Sequence, residues 1–209
     1  MTIPLVWISA VALYVLFRVW YDNWRGPMSA KEVEQFETWI NSRESQDEDV
    51  RRAMLDFLKS DDGKEFIMVN VIKFPDNEVT HPDTSEQVKP QRLLSEYTKP
   101  FMGAVFKAGG HPIIVTRAVG GYADAINAPN DPGWSAAGLV RYRSRRDMFK
   151  IVSSPMFDAS HGYKLAAMAS TFAYPTQKHI SFVAGPRVWV FLLLSLAASL
   201  ATIAIMVGS

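Results

Sequence analysis

The side chains of this sequence that could do chemistry are its 4 histidines, an asparagine inside an apolar segment and a run of arginines. Asn70 sits in MVNVIKF, where its neighbours are apolar. A buried amide must be paired, so Asn70 either orients a ligand or bonds a neighbouring strand or loop. His111 directly follows Gly109-Gly110 and opens HPIIVTR. Its imidazole could serve as an acid or base near neutral pH, or stand simply as a surface residue. His161 and Lys164 share a helix face at i, i+3 spacing. With Tyr163 they could face a ligand, or else meet solvent or a helix end. His81 lies in a polar loop and His179 in a linker. Neither has an acidic residue or a second histidine at useful ligand spacing, so no protein-held metal and no cofactor are expected. Zero cysteines exclude a thiolate metal site, a disulfide scaffold and a Cys nucleophile. Phosphate loops, dinucleotide fingerprints, nucleophile elbows and zincin motifs are absent from the sequence.

Arg141, Arg143, Arg145, Arg146 and Lys150 form a basic cluster. It can be a solvated face, a contact with anionic lipid headgroups, or a carboxylate or phosphate site. The net charge of +1 argues against nucleic acid as a partner.

The elements that must position these residues fall into a partitioned chain. No charged side chain occurs from Val188 to Ser209. At 1.5 Å per residue that run covers roughly 30 Å, the thickness of a bilayer's hydrocarbon core. Ser195/Ser199, Ala197/Ala201 and Ala198/Thr202 are small-xxx-small pairs that permit close helix approach in lipid. The first apolar run starts at Ile3 and ends against Arg18, Trp20 and Trp24. It has no basic residue before it, which argues against a cleaved signal peptide. Arg18, Trp20, Trp24, Arg187 and Trp189 read as membrane-interface residues, a cation and aromatic belt at each span. Spans are expected over 3–20 and 188–207. Arg18, Arg25, Lys31, Lys178 and Arg187 all flank the spans on the side of the central domain. The positive-inside rule puts that domain in the cytoplasm and both termini outside, in a two-pass protein of the bacterial inner membrane.

Between the spans, Ser29-Ala30-Lys31-Glu32 and Ser45-Gln46-Asp47-Glu48 read as capping boxes. They open two amphipathic helices in an acidic hairpin, 29–63, which is either a solvated face or a dock for a basic partner. EFIMVNVIKF is a first strand, followed by a proline-rich polar loop. A helix spans about Gln91 to Ala108, with Pro100 expected to kink or split it. Strands follow at HPIIVTRAVG and WSAAGLVRYRS, then helices opened by Ser144 and by Ser154-Pro155, then a fourth strand, MASTFAY. The fold expected over 64–175 is α+β, a ferredoxin-like β-α-β-β-α-β domain, joined by a linker, 176–187, to the last span. Phe66, Met68 and Ile72 point one way from the first strand and Ile67, Val69 and Val71 the other. Helices on one face alone leave the second apolar face in need of a partner, most simply a second copy.

MVNVIKF, KAGGHPI and LVRYRSRRDMFKIVSSPMFDASHGYKLAA resemble the dimeric α/β-barrel superfamily, within it the small uncharacterised bacterial single-domain branch. The resemblance covers roughly 64–175 and implies the fold more than a reaction, since relatives include cofactor-free monooxygenases, isomerases, haem enzymes and binding proteins. The first functional expectation is a membrane-anchored, oligomerising module serving as accessory or scaffold subunit of a membrane assembly. The alternative is a cofactor-independent enzyme or a sensor for a small apolar or aromatic ligand. Its site would be drawn from Met68, Asn70, Phe101, His111, Tyr142 and His161, with His111 and Asn70 the catalytic candidates.

Overall fold

The computed structural model describes residues 2–43 and 47–208. The elements in chain order are α1 (Ile3–Tyr21), α2 (Ala30–Asn41), α3 (Glu48–Lys59), β1 (Phe66–Lys73), β2 (Val79–Thr80), β3 (Gln87–Val88), α4 (Pro90–Lys107), β4 (His111–Arg117), β5 (Ala136–Tyr142), α5 (Arg145–Val152), α6 (Pro155–Ala167), β6 (Ser170–Thr176) and α7 (Pro186–Gly208). They divide into two compact units: residues 25–177, and the two ends of the chain, 2–24 with 178–208.

The central unit is built on a four-stranded sheet in the order β4-β5-β1-β6, with every neighbouring pair antiparallel. Directly paired residues share a face of such a sheet. One face therefore carries Phe66, Met68, Asn70 and Ile72 of β1 beside Tyr142, Val140, Gly138 and Ala136 of β5. That face meets the helices: Phe66, Val140 and Tyr142 join Tyr97, Phe101 and Val105 of α4, Phe149 of α5 and Phe157 of α6 in one apolar cluster. Pro112 and Pro175 stand in β4 and β6, the two edge strands, where a missing N–H costs least. The last strand thus runs two residues beyond the expected MASTFAY and includes Pro175. The register of β4 shifts between Pro112 and Ile114. Pro100 does not split α4, which continues from Pro90 to Lys107. The proline-rich loop contains a small hairpin, β2 with β3, that the sequence pattern does not signal.

The acidic hairpin forms as expected at its first helix. Ser29 accepts the Glu32 N–H and the Glu32 carboxylate accepts the Ser29 N–H, a complete capping box. The second box falls partly on Ser45 and Gln46, outside the described residues; α3 is capped by Asp47, whose carboxylate accepts the Asp49 N–H. The hairpin is docked, not solvated. Phe36, Ile40 and Leu58 are buried in the main cluster, and Phe57 meets Phe66 edge-on at 5.1 Å.

Its acids meet the arginines. Arg146 Nε donates to Glu32 at 2.8 Å, and its remaining nitrogens reach the carbonyls of Gly26 (3.2 Å) and Pro27 (2.8 Å). Arg145 donates to the Phe57 carbonyl (2.6 Å) and the Ser60 hydroxyl (2.9 Å), and its guanidinium lies 4.4 Å from the centre of the Phe57 ring. Arg141 grips Glu65 at 2.6 and 3.0 Å and the Gly109 carbonyl at 2.5 Å; Arg143 pairs with Asp147. Arg141 and Arg146 are only 4% and 3% exposed. Of the three readings of the basic cluster, none holds for these four arginines: they are internal clamps. The basic partner of the acidic hairpin is its own domain.

Gly63 closes the hairpin onto the chain that precedes it. Its φ is +71°, and a Cβ there would stand 2.5 Å from both Gly26 C and Pro27 N. Gly63→Ala is expected to destabilise the domain by about 1–3 kcal/mol through backbone strain and collision, read as a lower Tm. Glu32 supplies a pH test. Its hydrogen bond from Arg146, and then that from Ser29, hold its carboxyl down to about 2. A depressed folded-state pKa gives stability that is complete above the ordinary value near 4.5 and is lost as pH falls toward 2. Glu32→Gln should therefore lower stability by about 1–2 kcal/mol at pH 7, and the gap to wild type should narrow through that window in thermal melts.

Candidate functional site

The terminal unit consists of α1 and α7, both long and apolar enough to cross a membrane. The two helices pack on each other, with Tyr14 meeting Phe191 edge-on at 5.6 Å and Ala198, a member of one small-xxx-small pair, buried. At one end sits an ionic knot that joins the helices. Asp22, which closes α1, accepts from Arg187 Nε at 2.8 Å and Arg187 Nη2 at 2.7 Å, and also from Arg18 Nε. The Arg187 guanidinium lies 5.0 Å from the centre of the Tyr21 ring, and the Tyr14 hydroxyl donates to the Arg187 carbonyl at 3.0 Å. Trp24 Nε1 donates to the Arg18 carbonyl at 3.0 Å. Trp20, Trp24 and Trp189 are all exposed on this unit. Arg18, Trp20, Trp24, Arg187 and Trp189 all fall at the ends of α1 and α7 that the knot joins. The carboxylate at the centre of the knot, Asp22, was not singled out, although its i, i+4 spacing from Arg18 is the signal that finds it.

The central unit offers two faces. On the helix side, Met68, Phe101 and Tyr142 belong to one cluster, and the His161 ring meets Phe157 of that cluster at a tilt, 5.3 Å between ring centres. Asn70 lies on the same sheet face, but its amide is committed: Nδ2 donates to the carbonyls of Met68 (3.1 Å) and Gly138 (3.3 Å). His111 is separated from these residues. It pairs with Arg141, whose parity in β5 is opposite to that of Tyr142 and Val140, so it stands on the other sheet face. His111 Nδ1 donates to the Pro112 carbonyl at 2.9 Å. The register therefore does not bring His111 and Asn70 together as a catalytic pair.

His81 is more deeply placed than a loop position suggests, at 5% exposed. Its Nδ1 accepts the N–H groups of Asp83 (3.1 Å) and Thr84 (3.3 Å), which leaves the proton on Nε2 to donate to Glu96 at 3.0 Å. The Tyr163 hydroxyl donates to Asp83. These bonds clasp the β2–β3 loop to α4 and α6, a structural task. Among the described residues no group of three or more metal-ligating side chains converges. His179 is exposed in the segment before α7. An open groove of about 380 Å³ runs along α4, lined by Gln91, Leu94, Ser95, Thr98, Lys99 and Met102.

The second sheet face carries Ile67, Val69 and Val71 of β1, Leu139 of β5, Ile114 of β4, and Phe172 and Tyr174 of β6. The β1 residues are half-buried; Ile114 is 49% exposed, Phe172 47% and Tyr174 47%. Trp134, from the β4–β5 connection, covers one corner, edge-on to Phe172 at 5.1 Å. Among the described residues of the central unit, nothing else covers these apolar side chains.

No family model matches the chain, and no curated protein matches it. Two solved structures are similar: a protein of unknown function from Rhodopseudomonas palustris, at TM-score 0.53 and 14% identity, and its methylated form, at 0.54 and 14%. Each match covers 66% of this chain, and 97% and 96% of the solved chains respectively. At that identity the likeness speaks for the fold alone. The solved proteins are matched over nearly their whole length, so about a third of the present chain has no counterpart in them.

The ionic knot gives a direct test. Removing the Asp22 charge leaves Arg18 and Arg187 facing each other. Asp22→Asn should reduce the yield of a short bis-maleimide cross-link between Tyr14→Cys and Phe191→Cys severalfold, in a chain that otherwise has 0 cysteines. An unchanged yield would mean that apolar packing alone joins α1 to α7.

Proposed function

We propose that this chain is a two-pass membrane protein whose central domain associates with a second copy and serves as an accessory or scaffold subunit of a membrane assembly. The observation that carries this reading is the second sheet face. An antiparallel sheet with one solvated face alternates apolar and polar residues, whereas β1 is apolar on both sides, and Ile114, Phe172 and Tyr174 extend that surface to both edges. A contiguous apolar patch of this kind marks an interaction site. A two-fold pairing of like faces is the simplest way to cover it, because the surface needed is the one already present.

Further support comes from topology. The strand order β4-β5-β1-β6, with α4 and the α5–α6 pair as crossovers, supports reading the domain as the split β-α-β arrangement of ferredoxin-like domains, the unit of the dimeric α/β barrels that the sequence resembles. Each copy would bring α1 and α7, so a dimer gathers four apolar helices in the bilayer. The basic flanks Arg18, Arg25, Lys31, Lys178 and Arg187 favour a cytoplasmic central domain, with both termini on the far side of a bacterial inner membrane.

Gentle extraction of the tagged full chain, followed by native mass measurement, tests this. The expected particle holds at least two copies, with any partner subunits in fixed ratio. Phe172→Asp combined with Ile114→Asp changes only edge-strand positions that are half-exposed, and is expected to convert the particle to single copies with secondary structure unchanged. A single-copy wild-type particle without partners would overturn the reading.

A further inference from the structure

The short segment between β6 and α7 turns its apolar side chains outward. Ile180, Phe182 and Val183 are 71%, 100% and 72% exposed. A local turn fixes this display. The Ser181 hydroxyl donates to the Val183 carbonyl at 3.2 Å and accepts the Val183 N–H at 3.2 Å, which sets Phe182 at the apex. Helix α7 follows at once, beginning at Pro186, and the Gly185 carbonyl already accepts the Val188 N–H at 2.9 Å. A single exposed apolar residue is ordinary. Three within four positions, held by a turn and joined directly to a helix of bilayer length, are an interaction surface.

The charge around this surface is one-sided. In the terminal unit the charged side chains are three bases, Arg18, Lys178 and Arg187, and one acid, Asp22. Both arginines share Asp22 in the knot, and their side chains keep 35% and 34% exposure. Two guanidinium groups on one carboxylate leave a net positive charge at this end of the helix pair. Lys178, exposed at the start of the segment, adds to it. The opposite ends of the two helices, at Thr2 and Gly208, carry no charged side chain. Trp20, Trp24 and Trp189 stand exposed at the charged end. Aromatic rings with cations make up the headgroup layer of a membrane protein, and cations there attract anionic lipid.

We infer that residues 178–185 form a lipid-binding loop, in which Phe182, with Ile180 and Val183, enters the boundary between headgroups and acyl chains. Lys178 and the Arg18–Asp22–Arg187 knot gather anionic phospholipids around it. The inference rests on the two-pass reading and adds to it a contact and a lipid class that a bare span does not require. Its apolar part is the shallow insertion of an interfacial segment. Its polar part is the attraction of a surplus of basic side chains for phosphodiesters of net negative charge.

The full chain, which has 0 cysteines, takes a fluorophore at Ile180→Cys or, separately, at Leu196→Cys near the middle of α7. Each labelled chain is placed in phosphatidylcholine nanodiscs and quenched by aqueous iodide, or by phospholipids with a nitroxide near the headgroup or near the chain end. The label at 196 is expected to be quenched by the deep nitroxide. The label at 180 is expected to be quenched by the shallow one and shielded from iodide. Phe182→Asp alters a fully exposed side chain and is expected to reduce the shallow quenching at 180 severalfold. Shallow-labelled phosphatidylglycerol is expected to quench at about fivefold lower mole fraction than its phosphatidylcholine counterpart, the effect of about one basic residue near the surface. Lys178→Gln should reduce that preference, and Lys178→Arg should retain it. Quenching at 196 with the label at 180 open to iodide, or shallow quenching undiminished in Phe182→Asp, would overturn the loop and leave the two-pass reading standing. Absence of lipid quenching at 196 would overturn both. Equal quenching by the two headgroups would overturn the anionic class, and a preference undiminished in Lys178→Gln would overturn the part given to Lys178.

Discussion

Strand β1 sits between β5 and β6 and is apolar on both of its faces, and the central domain is arranged around the need to cover both. One face is satisfied within the chain. Helices α4, α5 and α6 lay Tyr97, Phe101, Val105, Phe149 and Phe157 over Phe66, Val140 and Tyr142. At roughly 25 cal/mol per Å² of apolar surface removed from water, this layer is the main source of the domain's stability. On the other face, among the described residues of the central unit, Trp134 covers one corner. That asymmetry directs the functional reading toward association, because the sheet presents to solvent what such sheets normally bury.

The arginines do a different task from the one their clustering suggests. A run of like charges on a surface is ordinarily solvated. Here three of the four guanidinium groups reach back to oxygens distant in sequence: Arg141 to Glu65 and Gly109, Arg145 to Phe57 and Ser60, Arg146 to Glu32, Gly26 and Pro27. The planar fork of arginine suits such multiple anchoring, and lysine could not replace it at these positions. The helical hairpin is thereby fastened to the sheet domain by both apolar burial and charge. A comparable device appears in the terminal unit, where Asp22 joins Arg18 and Arg187 at the end of the helix pair. In both places a charge that is costly to bury alone is placed beside its complement.

Sites that break a local rule without compensation inside the chain are where function is to be sought. The open sheet face is such a place.

The sequence by itself determined the partition into two apolar ends and a mixed centre, since an uncharged run of bilayer length is visible without a fold. It also determined most element positions, through alternation, capping residues and Pro or Gly stops, and it exposed the two-faced character of β1, because strand parity is a property of the chain. Tertiary structure decided which residues meet. His111 and Asn70 look alike as polar residues in apolar strands, and only the register across β5 separates them onto opposite faces. Ser29 and Glu32 announce a cap from four consecutive residues, but that Glu32 also holds Arg146 needs two distant segments brought together. Asp22, Glu65 and Glu96 gain their roles in the same way. Local patterns record preferences of neighbouring residues, whereas ion pairs, clasps and sites depend on loop closure over long separations, which no short window of sequence encodes.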